Sequence, residues 1–351
     1  MTWSTVARVL DAVAVVDSAA AGDARTRHET LVKPSGSLGR LEDLGARLSA
    51  IAGACPPPVP VRPAVLVAAA DHGVHAQKVT RWPQEVTTVM VEQFCAGSAA
   101  VNAIAATVGA RVMVLDVGCA AEPPDHPLLR KLRVRAGTAD LTREPAMSRR
   151  DAEEAFLAGA GVATELAGDG VDLLVTGDMG IANTTASACL IAAFTGADAA
   201  AVTGRGAGVD DDTLAHKTKV VRDALTLHGA DPRDPVGSVA ALGGLEHAAL
   251  AGVICGAAAG RVPVVLDGLI TNAAALLAVA LCPPAAGYLV ASHRSAEPGA
   301  TAALDHLGLA PLFALGMRLG EGTGGLLAVP FVQASARALR DMATLSDIGF
   351  G

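Results

Sequence analysis

Ala64-Val65-Leu66-Val67-Ala68-Ala69-Ala70, followed at once by Asp71-His72-Gly73, is the stretch from which the fold follows. An uninterrupted apolar run of this length reads as a strand buried on both faces, and the polar triplet marks its exit into a loop. The pattern recurs at Val112 to Leu115 before Asp116-Val117-Gly118 and at Leu173 to Val175 before Thr176-Gly177-Asp178. It appears again at Val262 to Leu266 before Asp267-Gly268 and at Tyr288 to Ala291 before Ser292-His293-Arg294. Ala-rich stretches from Gln84 to Thr107, Asp151 to Ala167, Thr213 to Leu227 and Val239 to Ala259 separate the runs and read as helices. Strand alternating with helix predicts an α/β fold with a doubly wound, mainly parallel, Rossmann-like sheet covered on both faces. In such sheets ligands sit beyond the carboxyl ends of the strands, where these polar exits fall.

Outside the sheet, Leu38, Leu41, Leu44 and Leu48 share one helical face before Cys55, and Leu326 to Leu345 reads as another helix or pair. We expect the two chain ends, residues 1–55 plus 326–351, to pack as a small helical subdomain beside a large α/β domain of residues 56–325.

Lys and Arg number 27 against 35 Asp and Glu, a net charge of 27 − 35 = −8, and aromatics are only 3% of the chain. A surface for nucleic acid needs both positive field and stacking faces, so that class is set aside. Mean hydropathy of +0.42 raises the question of a membrane. The most apolar stretches are interrupted, Val262 to Leu281 by Asp267, Thr271 and Asn272, and Ile181 to Val202 by Asn183, Thr184, Thr185 and Asp198. No membrane span is expected. Met1-Thr2-Trp3-Ser4 lacks the basic and apolar regions of a signal peptide, so the expected location is cytoplasmic. The six cysteines form no C-x-x-C pair and read as buried thiols rather than a zinc or redox motif.

The chain has no phosphate loop of the G-x-x-x-x-G-K-[ST] type, no G-x-S-x-G elbow and no H-E-x-x-H. The G-x-G-x-x-G match at Gly320, Gly322 and Gly325 lies far from the first strand and is a weak dinucleotide signal. Gly320-Glu321-Gly322-Thr323-Gly324-Gly325 reads instead as a loop carrying one carboxylate in surroundings poor in other charge. Burial there would raise the carboxyl pKa and make it a better proton acceptor; the alternative is a solvated loop glutamate. Gly204-Arg205-Gly206-Ala207-Gly208 with Lys217 offers a backbone nest for phosphate, or a plain turn and helix cap. Asp210-Asp211-Asp212 resembles a metal cluster, but adjacent residues diverge at a helix start. Asp178 to Thr185 supplies a carboxylate, an amide and hydroxyls for orienting a sugar or phosphate, or else caps a helix. Asp71-His72-Gly73-Val74-His75 reads as structural or substrate-positioning.

Taken in chain order, these segments resemble the nicotinate-nucleotide–dimethylbenzimidazole phosphoribosyltransferase family. The matching stretches are Lys33 to Glu42 (KPSGSLGRLE), Ala70 to Val74 (ADHGV), Pro83 to Thr87 (PQEVT) and Gly177 to Thr185 (GDMGIANTT). They continue with Gly204 to Gly208 (GRGAG), Ser292 to Gly299 (SHRSAEPG) and Arg318 to Gly324 (RLGEGTG). The resemblance implies a homodimer that needs no metal or cofactor. It implies transfer of the phosphoribosyl group of nicotinate mononucleotide to 5,6-dimethylbenzimidazole or a related base. The products would be α-ribazole 5'-phosphate and nicotinate, with inversion at the anomeric carbon, in cobalamin lower-ligand synthesis. By the same carry-over Glu321 matches the general base, with Asp178 and Asp267 as supporting carboxylates. Thr80, Thr88 and Met179 match the benzimidazole pocket. Gly180, Thr184, Gly204, Gly206, Lys217, Ser292 and Gly322 match positions around the nucleotide. This chain carries Asp178 where the family often has Glu, Ala182 where it often has Gly, and Thr80 where it often has Ser. Other readings are an inactive paralogue that senses nicotinate mononucleotide or a cobamide precursor, a nicotinamide-dependent oxidoreductase, and a purely structural module.

Overall fold

β1 (Pro63–Ala70) is buried at every residue, and its side chains alternate between two separate cores. Ala64, Leu66, Ala68 and Ala70 join one core; Val65, Val67 and Ala69 join the other. A strand feeding two cores is covered on both faces, as its unbroken apolar run requires. The computed structural model describes residues 3–229 and 231–350. Beside β1 it places β2 (Arg111–Gly118), β3 (Leu129–Lys131), β4 (Leu173–Met179), β5 (Val264–Leu266) and β6 (Leu289–Ala291). Every pairing is parallel and the order is β3-β2-β1-β4-β5-β6, the Rossmann arrangement expected from the sequence. β3 was not anticipated, because Leu-Arg-Lys on a sheet edge carries no apolar run.

The helices are α1 (Val6–Asp11), α2 (Ser18–Thr30), α3 (Arg40–Ala52), α4 (Val86–Ala96), α5 (Ala100–Val108), α6 (Arg149–Gly168) and α7 (Asn183–Thr195). They continue with α8 (Ala199–Val202), α9 (Asp211–His228), α10 (Pro235–Leu242), α11 (Leu245–Ala259), α12 (Leu269–Leu281), α13 (Pro298–His306) and α14 (Thr323–Asp341). α3, α4, α5 and α14 cover one face through Leu48, Phe94, Val101 and Val329. α1, α6, α7 and α9 to α13 cover the other. There α6 and α11 pack almost backbone to backbone, since a Cβ at Gly159 or Gly252 would collide with the facing main chain.

Two stretches read as single helices are each broken. Gln84 to Thr107 divides at Gly97, whose φ of +80° ends α4. Val239 to Ala259 divides at Gly243-Gly244. The stretch Val86–Val108 has the length and apolar content of a membrane span, yet it is interrupted at Gly97 and sends Val91, Phe94 and Val101 into the core.

The chain ends meet. Leu31 bridges to Thr344, Arg27 Nε donates to the Leu339 carbonyl at 2.5 Å, and Ala24, Ala46 and Leu339 form a small core of their own. α1 lies apart from that group, against α6 and α11. α14 starts at the strand ends and finishes among α2 and α3.

Candidate active site

The carboxyl ends of all six strands share one edge, and the strand order reverses between β1 and β4. A cleft of about 650 Å³ opens at that edge. Asp178, the penultimate residue of β4, is on its wall and nearly fully buried. Its Oδ2 accepts from Asn183 Nδ2 at 3.0 Å, while Oδ1 has no partner. Burial, then the charges of Asp267, Glu246 and Glu321, push its pKa well above the usual carboxylate range.

Glu321 shares the wall, on the loop that enters α14. Gly320, Glu321 and Gly322 all have positive φ, at +90°, +64° and +88°. Such a run is easy for glycine and strained for glutamate. The loop presses on β4: a Cβ at Gly177 would stand 2.6 Å from the Glu321 carbonyl oxygen. Glu321 is only 6% exposed, and its Oε2 accepts from Val101 N–H at 3.2 Å, at the start of α5. The break at Gly97 creates that helix start. Asn102 secures it, accepting from Ala99 N–H at 3.1 Å and donating to the Phe94 carbonyl at 2.9 Å. Burial raises the Glu321 pKa and the Val101 bond offsets part of the rise. The surroundings differ from the expectation: with Asp178 and Asp267 close by, they are rich in carboxylates.

Across the cleft the charge is positive. Lys217 of α9 is almost fully buried, and its Nζ donates to Thr184 Oγ1 at 2.7 Å and to the Gly204 carbonyl at 3.1 Å. Burial lowers its pKa to about 8. Arg318 Nη1 donates to the Gly206 carbonyl at 2.6 Å, and Arg205 pairs with Asp211. α7 starts here without a side-chain cap, at Ala182 with φ +75°, and a helix start favours an anion. Gly206 N–H, part of the nest read from the sequence, is taken by Glu297 Oε1 at 2.8 Å, while Oε2 of Glu297 is unpartnered and buried. Between the two ends an apolar stretch of wall is built from Val79, Trp82, Val86, Met90 and Met179, with Thr80 beside them.

Of the residues singled out in sequence, Thr80, Asp178, Met179, Gly180, Thr184, Gly206, Lys217 and Glu321 line this cleft. Thr88 does not: its hydroxyl donates to the Ala121 carbonyl at 3.3 Å, and the turn of α4 presents Val86 and Met90 instead. Gly204 acts through its carbonyl, behind Lys217. Asp267 lies under the loop, with Oδ1 accepting from Gly324 and Gly325 N–H at 2.7 and 3.0 Å and Oδ2 from Gly322 N–H at 3.1 Å. Burial raises its pKa to about 7 against those three bonds. Gly322 therefore anchors the loop through its N–H. Ser292 is fully buried, its Oγ 3.1 Å from His293 Nδ1, and it is His293 and Ser295 that reach the cleft. Lys33 to Glu42 closes on itself through a 2.8 Å ion pair between its end residues. Asp210 caps α9 by accepting from Thr213 N–H at 2.8 Å, and Asp211 pairs with Arg205. Arg318, Glu297 and His293 were missed as individual residues although they fall inside quoted motifs.

Beneath the floor lies a fully buried trio, His72, Glu246 and His247. His72 Nε2 is 2.8 Å and His247 Nδ1 2.9 Å from Glu246 Oε1. Burial alone would raise the Glu246 pKa, but the two imidazoles hold it well below the usual range. Burial alone would lower that of His72, and Glu246 raises it on balance. These are ligand-type atoms within 4.8 Å of one another. The hydrogen bond within the trio is His72 Nε2 to Glu246; His247 Nδ1 accepts from Gly244 N–H at 3.1 Å and its Nε2 lies 2.8 Å from Ser187 Oγ, while His72 Nδ1 and Glu246 Oε2 have no partner among the described residues.

A Rossmann-ordered sheet whose strand ends carry a cationic pocket and a buried carboxylate on one cleft defines a nucleotide-handling α/β enzyme. The sequence pattern of a family described as "Phosphoribosyltransferase" matches residues 13–349, and the chain belongs to that family. It is 53% identical to a nicotinate-nucleotide–dimethylbenzimidazole phosphoribosyltransferase of Salinispora tropica, over 97% of this chain and 98% of the relative. The protein of that name from Chloroflexus aggregans is 50% identical, over 99% and 98%. A crystal structure of the same enzyme from Thermus thermophilus superposes with a TM-score of 0.90 at 44% identity, covering 95% of this chain and 99% of that one.

Proposed function

We propose that this phosphoribosyltransferase moves the phosphoribosyl group of nicotinate mononucleotide to 5,6-dimethylbenzimidazole, giving α-ribazole 5'-phosphate and nicotinate. The observation that carries the reading is Glu321: a buried carboxylate with a raised pKa, on the wall of a cleft whose other end is cationic. The relatives' names supply the substrates. Nicotinate leaves from a ring nitrogen that is already positive, so the C1'–N bond breaks with its electron pair returning to that nitrogen and no acid is needed. The incoming base attacks C1' from the opposite face through a ring nitrogen lone pair, which accounts for inversion. Its N–H proton must then go to an acceptor, and Glu321 is that acceptor.

In this reading Lys217, Thr184, Arg318 and the start of α7 hold the phosphate. Asp178 has an unpartnered oxygen for the ribose. Val79, Val86, Met90 and Met179, with Thr80, receive the flat base, while Asp267 and Gly322 act one layer back by fixing the Glu321 loop. The working unit is a homodimer. The test is a chromatographic assay of purified protein with nicotinate mononucleotide and dimethylbenzimidazole, without added metal. Equal amounts of nicotinate and α-ribazole phosphate are expected. Binding of the nucleotide with neither product formed would overturn the reading.

A further inference from the structure

A second large cavity lies away from the cleft, in the seam between the amino-terminal helices and the free edge of the sheet. α2 and α3 form one wall; β6 and residues 308–312 form the other. Its volume is about 550 Å³, the size of a small-metabolite site. Arg25 of α2 and Arg40 and Arg47 of α3 line it, with Asp43 as the one carboxylate in the lining. That leaves two positive charges in excess, inside a protein of net charge −8.

Some arginines elsewhere sit against carboxylates, as Arg130 does with Glu165 at 2.6 Å and Arg149 with Asp234 at 2.6 Å, and others bond main-chain carbonyls, as Arg27 does with Leu339. Among the described residues, Arg25, Arg40 and Arg47 form no such ion pair. Two of them reach across the seam to main-chain carbonyls: Arg40 Nη2 donates to Ala310 at 2.6 Å, and Arg47 Nη1 donates to Leu289. Those bonds hold the guanidinium groups in the cavity and leave most of their five donors open. Arg47 is half-buried; its lost hydration lowers its pKa, and the nearby Asp43 charge offsets part of that fall. Arg25 and Arg40 are exposed at the mouth and Arg47 is partly desolvated, and guanidinium groups with open donors gain from an oxyanion that fits their fork. Ser18 adds a hydroxyl, and Leu44, Leu289, Leu309 and Leu312 supply apolar surface.

We infer that this seam is a second, non-catalytic binding site for a phosphate monoester with a small apolar body, its phosphate held by Arg25, Arg40 and Arg47. The inference does not depend on the reaction assigned to the cleft. Phenyl phosphate is a suitable probe, having both a phosphate monoester and an apolar ring. Its binding is to be measured calorimetrically on wild-type protein, Arg25→Gln, Arg25→Gln/Arg40→Gln and Lys217→Met. Arg25 makes no hydrogen bond among the described residues, so its substitution leaves the seam's own bonds intact. The expected result is saturable binding that survives Lys217→Met, weakens in Arg25→Gln, and weakens roughly tenfold or more in the double variant. Binding lost in Lys217→Met and unchanged in the arginine variants would put the phosphate in the cleft and overturn the inference. Absence of saturable binding to the wild type would also overturn it.

Discussion

At the scale of the residue, Glu321 has a geometry that folding alone does not favour. A non-glycine residue at φ +64° stores about 1–3 kcal/mol, and its carboxylate is buried as well. Glycine would relieve the strain while costing about 0.5–1 kcal/mol in chain entropy. Loss of the carboxylate that accepts from Val101 N–H works against that relief, so Glu321→Gly is expected to melt close to the wild-type temperature while losing turnover. Glu321→Gln keeps the shape but cannot take a proton, so kcat should fall about a hundredfold or more with nucleotide affinity retained. Wild-type kcat in Glu321→Gln would remove the residue from the chemistry, and a clear drop in melting temperature for Glu321→Gly would refute the strain argument. The pH profile follows from the same surroundings. Activity should decline as pH falls through the raised pKa of Glu321, which must be ionised to accept a proton. On the alkaline side KM for the nucleotide should rise above pH about 8, as Lys217 loses its charge. A KM flat to pH 9.5 would separate Lys217 from phosphate binding.

At the scale of the element, the site depends on where helices begin. The glycine loop around Glu321 leaves it open between a proton acceptor and a solvated glutamate, and it is the family resemblance that singles it out. The helix start that receives it was not legible, since Gly97 and Gly243-Gly244 lie inside stretches whose alanine and valine content reads as continuous helix. Glycine costs a helix only about 1 kcal/mol, so composition does not tell a tolerated glycine from a break; tertiary contacts decide. Asp267 shows the same limit. The sequence placed it at a strand end, yet its work is to accept three N–H bonds at the start of α14. Removing the carboxylate leaves three buried donors, each worth about 1–3 kcal/mol. Asp267→Ala should lose about 3 kcal/mol or more in urea unfolding and lower kcat by disordering the Glu321 loop. Asp267→Asn, which keeps one acceptor oxygen, should lose less. Unfolding of Asp267→Ala within about 0.5 kcal/mol of wild type would show that the loop is held by other contacts.

At the scale of the whole molecule, the strand runs predicted the sheet because a strand buried on both faces leaves no choice of residue type. Sequence cannot predict which polar residues such a sheet will bury together. His72 leaves β1 and Glu246 starts α11, 174 positions apart, yet the two meet under the cleft at the point where the strand order reverses. Glu246 is one of the charges that raise the Asp178 pKa, so the pair ties the floor to the site. Its effect on stability has a defined sign. Glu246 is held below its ordinary value of 4.5, so its contribution is complete above pH 4.5 and is lost as pH falls through the folded value. His72 is held above 6.5, so its contribution is complete below pH 6.5 and is lost as pH rises through the folded value. His72→Gln leaves a buried carboxylate short of its partner, a loss of about 3–5 kcal/mol. The gap between wild type and His72→Gln in denaturant unfolding should be widest between pH 4.5 and 6.5 and narrow at higher pH, as wild-type His72 becomes neutral. A gap independent of pH from about 5 to 9 would mean that His72 serves by shape and hydrogen bonding, and that Glu246 draws its stabilisation from His247 and the start of α11.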